Sequence, residues 1–355
     1  MQEKQQNSDQ SQDAKAIPDV PPKASKKAVK KAQRLVVSSS PHMVGEDSVP
    51  KIMWNVVAAL LPAVVFGVYY FGFRVLLTLG VSIAAAIITE VVCQKLRGRE
   101  PSPDGSAFLT GLLLAMTLPP SLPISAVIIG SVFAIAIGKQ IFGGLGSNIF
   151  NPALLGRAFL QASFPVKMTT WTAPSTIDAI TTATPLGSFK FEQAITPYFD
   201  LLTGNIGGCI GETSALAILV GGIYLLVRRY ADWRIPVSYL GTVFVVGGIF
   251  WLISPMPSQP ELVDPNALYF MDPVAHLMSG GLMIGAFFMA TDMVTSPVTA
   301  KGAWIFGCGA GVILVIIRLF GGLPEGVMYS ILLMNAVTPL INRYTRPKFF
   351  GEARS

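Results

Sequence analysis

From about residue 52 the chain alternates long apolar runs with short polar stretches, and the runs fall into two groups of five. The first group covers about 52–72, 75–94, 107–118, 122–142 and 148–163; the second covers about 210–228, 236–254, 279–291, 303–320 and 326–341. A helix rises about 1.5 Å per residue and must cross about 30 Å of hydrocarbon, so a full span needs about 20 residues. The third member of each group is too short. AFLTGLLLAMTL stops at Pro119-Pro120, and GGLMIGAFFMATD runs into a polar stretch before Pro297. Both read as half-helices with unwound continuations, which survive at membrane depth only where protein or water covers the freed backbone.

The two groups also resemble each other. Thr117, Pro119 and Phe142-Gly143-Gly144 map onto Thr295, Pro297 and Phe320-Gly321-Gly322 with one constant offset, as KQIFGGLG maps onto IRLFGGLP. Extending the offset pairs Leu154-Leu155 with Leu332-Leu333 and Ala158 with Ala336. The expected fold is therefore an all-α polytopic membrane protein of about ten segments, in two inverted five-segment repeats. Such repeats place sites at their interface, near the broken segments. The predicted organisation is a disordered basic tail at 1–34, a first repeat at 35–163 and an outer loop at 164–209. A second repeat at 210–342 and a short tail at 343–355 complete it.

Composition agrees with burial in lipid: 52% of residues are hydrophobic, only 13% are charged, and mean hydropathy is +0.56. Net charge is +6, but the basic residues cluster beside apolar runs, where they set orientation and do not indicate nucleic acid. The tail ending PPKASKKAVKKAQR lacks the apolar core of a cleavable signal peptide. With that tail in the cytoplasm, KLRGRE (95–100), Lys139, Arg157, RRYADWR (228–234), Lys301 and RYTRPK (343–348) fall on the inner side. Arg74, Lys167, Lys190 and Arg318 fall outside, as does a 255–278 loop holding Glu261, Asp264 and Asp272. Both termini are then cytoplasmic and the 164–209 loop is external. Cys93, Cys209 and Cys308 form no CxxC pair, and His42 and His276 lie outside the apolar runs. No metal site and no bis-histidine haem is expected.

Several stretches carry a family resemblance: SSPHMVGEDSVPKIMWNVVAALLPA (39–63), GGLGSNIFNPALLGRAF (143–159), DAITTATPLG (178–187), GCIGETSALAILVGG (208–222) and GGLMIGAFFMATDMVTSP (280–297). In this order they resemble the D subunits of Rnf complexes, ion-translocating ferredoxin:NAD oxidoreductases. Those subunits are similar to the B subunits of sodium-pumping NADH:quinone reductases. The resemblance begins at about Ser38. It implies FMN joined through its phosphate to a threonine hydroxyl, attached by a separate flavin transferase in a motif like D-x-x-[ST]-[GAST]-A-T. Asp178, Thr181, Thr182, Ala183 and Thr184 fill that motif, Thr182 standing where glycine is commoner, and the attachment residue carried over is Thr184. Thr181 and Thr182 stay open as alternatives. Pro185 biases Thr184 toward extended backbone, away from a helix that hides its hydroxyl. Without the resemblance the stretch reads as a threonine-rich loop capping a helix.

The resemblance further implies a second, non-covalent flavin, riboflavin in the quinone-reductase relatives. It also implies partners: Rnf subunits A, B, C, E and G, the last carrying its own covalent FMN. No catalytic residue is expected here, and no GxGxxG element or cysteine cluster is present to bind NAD or ferredoxin. The half-helix ends around Thr117–Pro120 and Thr291–Pro297 are the expected lining of the second flavin site. Thr117, Glu212, Asp292, Thr295 and Pro297 are its candidates or those of an ion path, because acids within a membrane are costly and mark function. Glu90 is a third embedded acid. Each acid could instead cap a backbone turn or lie solvated at the interface. Gly143 and Gly144 read as close helix packing. Arg157 is expected near the inner side, far from Thr184. The rival from another class is a channel or transporter for a small solute, which needs no bound flavin.

Overall fold

The computed structural model describes residues 47–100, 104–174, 181–212, 214–254 and 269–347. The basic tail, Asp178, Glu261 and Asp264 lie outside these residues. Each apolar run forms a helix. In the first repeat these are α1 (Val49–Phe71), α2 (Arg74–Leu96), α3 (Ser106–Met116), α4 (Ile124–Ile135) and α5 (Pro152–Ser163). The loop that follows holds α6 (Pro165–Met168), strands β1 (Trp171–Thr172) and β2 (Thr181–Thr182), α7 (Pro185–Glu192) and α8 (Tyr198–Thr203). The second repeat contains α9 (Ala215–Val227), α10 (Arg234–Ile253), α11 (Pro273–Met278), α12 (Leu282–Ile284), α13 (Ala300–Phe320) and α14 (Val327–Thr345).

Among the described residues four helices, α1, α2, α10 and α13, are long and apolar enough to cross a membrane unaided; α3, α4 and α9 are shorter apolar helices. This is an all-α membrane protein with a single two-stranded ribbon among the described residues. Helix starts follow local chemistry. Asn151 caps α5, its side chain accepting the N–H groups of Ala153 at 3.0 Å and Leu154 at 3.3 Å, with Pro152 in the first turn. Ser214 and Thr299 cap α9 and α13 in the same way, satisfying N–H groups that have no partner within the helix.

The third segments are broken, as expected. α3 ends at Met116 and gives way to the Thr117–Pro120 turn, while α12 widens at once into a π-turn at Gly285–Met289 and is not helical beyond it. α4 also ends in a π-turn, Ala136–Gln140. Packing repeats between the halves. α2 lies on α4 as α10 lies on α13, and α4 on α5 as α13 on α14. The elements expected to be equivalent meet each other, α1 against α9 and α5 against α14. Small residues permit the closest crossing. A Cβ added at Gly307 in α13 would overlap the Ser238 hydroxyl of α10.

Gly143 and Gly144 do not serve helix packing. They have φ of +124° and +105°, and only Ser147 and Gln140 side-chain atoms come within 4 Å of an added Cβ. They are turn glycines, required because side chains rarely adopt that backbone. Gly321, the second-repeat equivalent of Gly143, has φ −75° and is tight for a different reason: a Cβ there would lie 2.5 Å from the Ile317 carbonyl.

Candidate cofactor-binding site

The Thr-rich stretch is built by the short ribbon. β1 and β2 pair antiparallel with Trp171 opposite Thr182 and Thr172 opposite Thr181, which carries the chain straight into Ala183 and Thr184. Thr184 is extended (φ −71°, ψ 157°) and caps α7, its Oγ1 accepting the Gly187 N–H at 3.1 Å, with Pro185 in the first turn. The extended backbone that Pro185 predicts is present, and so is the helix cap. The two roles are compatible, because a helix N-terminus also favours an anion placed there. Gly187 leaves the hydroxyl uncrowded, since a Cβ there would stand 3.2 Å from Thr184 Oγ1. Gly207, from the GGCIGE turn, backs Thr182 so closely that a Cβ would collide with its methyl group.

Thr184 is only 2% exposed, yet it lines a cavity of about 330 Å³ together with Thr182, Trp171, Phe191, Gln161 and Glu325. That volume falls within the range that takes a small organic ligand. Apolar and aromatic walls with a few polar groups suit a flat aromatic ring system. The hydroxyl at the start of α7 suits a phosphate attached at that point. α7 is tied down from the second repeat: Lys190 Nζ donates to the carbonyls of Arg318 (2.8 Å) and Gly321 at the end of α13. Partial burial there lowers the proton affinity of the Lys190 ammonium.

A second, smaller chamber lies behind that cavity and shares Gln161 and Glu325 with it. It is lined by Thr117, Arg157, Cys209 and Glu212 among others. Arg157, in α5, donates to the Thr117 carbonyl and forms an ion pair of 2.6 Å with Glu325. Arg157 is therefore not remote from Thr184, as its charge-based assignment implied, but one ion pair away. Its place in the middle of a short helix that starts inside the fold brings it to the broken end of α3. Glu325 and Gln161 are not singled out by the sequence. Glu325 is a lone acid between two apolar runs, and that isolation is the available signal.

The third cavity, of about 80 Å³, opens on the other face of α5 and holds Lys139, Asn148, Tyr230, Thr291 and Asp292. The two half-helix ends, expected to line one site, line different cavities here. Thr117 and Glu212 belong to the chamber beside Thr184, and Thr291 and Asp292 belong to the Lys139 cavity. α5 runs between the two ends. Its Asn151 donates to the Met289 carbonyl, and its Arg157 reaches Thr117. The six steps from Asn151 to Arg157 rise about 9 Å along the helix. Ala153 and Phe288 face one cavity, Leu154 and Met289 the other, so the wall between them is apolar. Asp292 caps its own turn, accepting from the Thr295 hydroxyl at 3.2 Å. Pro297 is buried beside Gly302 and lines none of these three cavities. Glu90 is a buried partner of Lys139 at 2.5 Å and of Gln140 at 3.0 Å. Among the described residues no cluster of metal-ligating side chains occurs.

Comparison with known proteins places the chain in a family. The model of the NQR2, RnfD, RnfE family matches residues 36–351. The chain is 50% identical over 331 residues to the D subunit of the proton-translocating ferredoxin:NAD(+) oxidoreductase complex of Clostridium ljungdahlii, covering 90% of this chain and 96% of that one. It is 48% identical over 325 residues to the D subunit of the Na(+)-translocating ferredoxin:NAD(+) oxidoreductase complex of Acetobacterium woodii, with the same coverage. It is 40% identical to the D subunit of the ion-translocating oxidoreductase complex of Stutzerimonas stutzeri, covering 86% of this chain and 93% of that one. The chain belongs to the NQR2, RnfD, RnfE family.

Proposed function

We propose that this chain is the flavin-bearing D subunit of an ion-translocating ferredoxin:NAD oxidoreductase and carries FMN in phosphoester linkage to Thr184. Relatives named as that subunit match nearly the whole chain. One observation carries the assignment of the site: the Thr184 hydroxyl stands at the N-terminus of α7 and faces a cavity large enough for a ring system. When bound, FMN accepts and donates electrons one or two at a time. The residues present hold and orient it. Gly187 N–H and the α7 terminus favour the phosphate charge, Gly207 and the ribbon fix the Thr182–Thr184 backbone, and Trp171 provides a buried apolar wall with Phe191 at the exposed rim.

The protein sits in the bacterial cytoplasmic membrane with both termini inside and the Thr184 loop on the external face. Rnf subunits A, B, C, E and G complete the complex, binding ferredoxin and NAD and passing electrons to and from this chain. A flavin transferase makes the Thr184 bond. The Lys139 cavity, separated from Thr184 by α5, adjoins the broken end of the second half-helix, and at about 80 Å³ it would have to widen to take a second, non-covalent flavin such as riboflavin. Electrons crossing between the two sites traverse the apolar wall at Ala153–Leu154 and Phe288–Met289.

The test is flavin fluorescence of the denatured band in a gel, joined to the mass of the Thr184 peptide. A fluorescent band and an FMN-sized mass increase are expected. Thr184→Val abolishes both, along with ferredoxin-dependent NAD reduction, while Thr182→Val retains them. A dark wild-type band, from cells containing the transferase, favours a small-solute channel instead.

A further inference from the structure

Behind the Thr184 cavity, the chamber of about 30 Å³ has room for one or two water molecules. Five ionisable groups line it, the Arg157 guanidinium, the Glu212 and Glu325 carboxylates, the Cys209 thiol and the Tyr329 phenol. Arg157 neutralises Glu325 through Oε2 at 2.6 Å. Glu325 Oε1 is buried without a hydrogen-bond partner. Glu212 is 6% exposed, and its Oε2 accepts the Cys209 N–H at 3.2 Å, with the Cys209 thiol as a further partner. No cation pairs with Glu212 among the described residues. A Cβ at Gly208 or Gly281 would lie 2.5 or 2.9 Å from its oxygens, so glycine at these positions admits the carboxylate. A second buried anion beside an already paired one is costly to keep charged and is relieved by binding a proton.

The chamber also has a route out. Gln161 and Glu325 line both the chamber and the Thr184 cavity. We propose that Glu212 is a redox-linked proton site. It takes up one proton when an electron arrives at the group on Thr184 and gives it back when the electron leaves, with Glu325 Oε1 and water passing the proton between the two cavities. The inference rests on the Thr184 reading.

The step balances: one electron from reduced ferredoxin, relayed through the complex, enters the Thr184 site, and one O–H bond forms on the Glu212 carboxylate at the expense of water on the Thr184 side. Net charge in the pocket is unchanged, which removes the electrostatic penalty of placing an electron in an apolar surround. The groups facing Glu212 are few. α5 contributes Arg157, the segment before α14 contributes Glu325, α14 contributes Tyr329, and the Gly280–Gly281 turn is backed by Arg318 of α13. Cys209 lies on the same turn as Glu212, and the turn after α3 contributes Thr117.

The experiment uses the purified complex, wild type and Glu212→Gln, reduced with a low-potential viologen in weakly buffered detergent. A pH-indicating dye reports proton uptake, redox-difference infrared spectra in H2O and D2O report carboxylic C=O bands, and in-gel fluorescence of the same samples reports the covalent flavin. The expected result is that Glu212→Gln keeps the fluorescent band, loses a D2O-sensitive carboxylic band and takes up as much as one proton fewer per electron at the Thr184 site. Glu325→Gln slows uptake without changing its extent. An unchanged band and unchanged uptake in a fluorescent Glu212→Gln complex overturn the proposal. So does a change that appears only as altered Na+ affinity. A dark wild-type band removes the attachment reading and this inference together. Where Glu212→Gln fails to assemble, 13C-glutamate labelling of the wild type decides: a reduction-linked carboxylic band that does not shift with the label overturns it.

Discussion

The fourth helix of each repeat ends on a buried cation, and the two are held in opposite ways. At the end of α4, Lys139 meets a carboxylate, Glu90, and Ser106 at the start of α3. The π-turn there lets the adjacent Gln140 reach the same Glu90 oxygen. At the corresponding end of α13, Arg318 meets carbonyls, of His276 at 2.6 Å, Ser279 at 2.7 Å and, at 3.5 Å, Gly280, and the Nδ1 of the His276 ring at 3.5 Å. Its Nε has no partner, and no carboxylate pairs with it among the described residues. Both cations fasten the start of the half-helix in their own repeat. The Lys139 arrangement is a self-contained ion pair. Arg318 braces the turn that packs on Glu212, and its own carbonyl receives Lys190 from α7. The second copy has thus been adapted to hold the segment that bears Thr184.

Substitutions separate the two arrangements. Lys139→Met strands a buried carboxylate, and the loss of one partner of such a pair costs about 3–5 kcal/mol. The double variant Lys139→Met with Glu90→Gln recovers most of it. Unfolding of the detergent-solubilised protein measures both, and a single variant as stable as wild type would break the distinction drawn here. Arg318→Met loses hydrogen bonds to carbonyls but also removes an unpaired buried charge. Its cost is about 1–3 kcal/mol, accompanied by reduced covalent flavin on Thr184. A larger loss than for Lys139→Met reverses the comparison. Gly207→Ala drives a methyl group into Thr182 and lowers the rate of flavin attachment with less effect on unfolding. Lys190→Met frees α7 from α13 at a cost of about 1 kcal/mol. It slows attachment but leaves the finished adduct stable, as a time course of in-gel fluorescence shows.

Helix positions are legible because hydrophobic run length follows directly from the thickness of a bilayer. The broken third segments are legible because Pro119-Pro120 and the polar stretch before Pro297 interrupt runs too short to span. Gly143 and Gly144 are misread, since a glycine needed for positive φ and one needed for close packing look alike in a sequence. Arg157 is misplaced for a related reason. Counting charges assigns loops to sides of a membrane but says nothing of how deep a side chain lies when its helix starts inside the fold. Thr117 and Asp292 look like one site because they end equivalent segments. Symmetry makes their surroundings equivalent without making them adjacent, and α5 stands between them.

The sequence by itself determined the all-α membrane class, the two five-segment groups, the broken segments and the threonine-rich stretch that carries the family motif. Each depends on local run length, local breakers or a contiguous motif. Only the tertiary structure decided that Thr184 caps α7 at a cavity, that Glu325 and Gln161 join this cavity to the Arg157–Glu212 chamber, and that the two half-helix ends open to different sides of α5. Apart from the cap itself, those relations join residues tens to more than a hundred positions apart. They are set by how the repeats pack on each other, which no local pattern encodes.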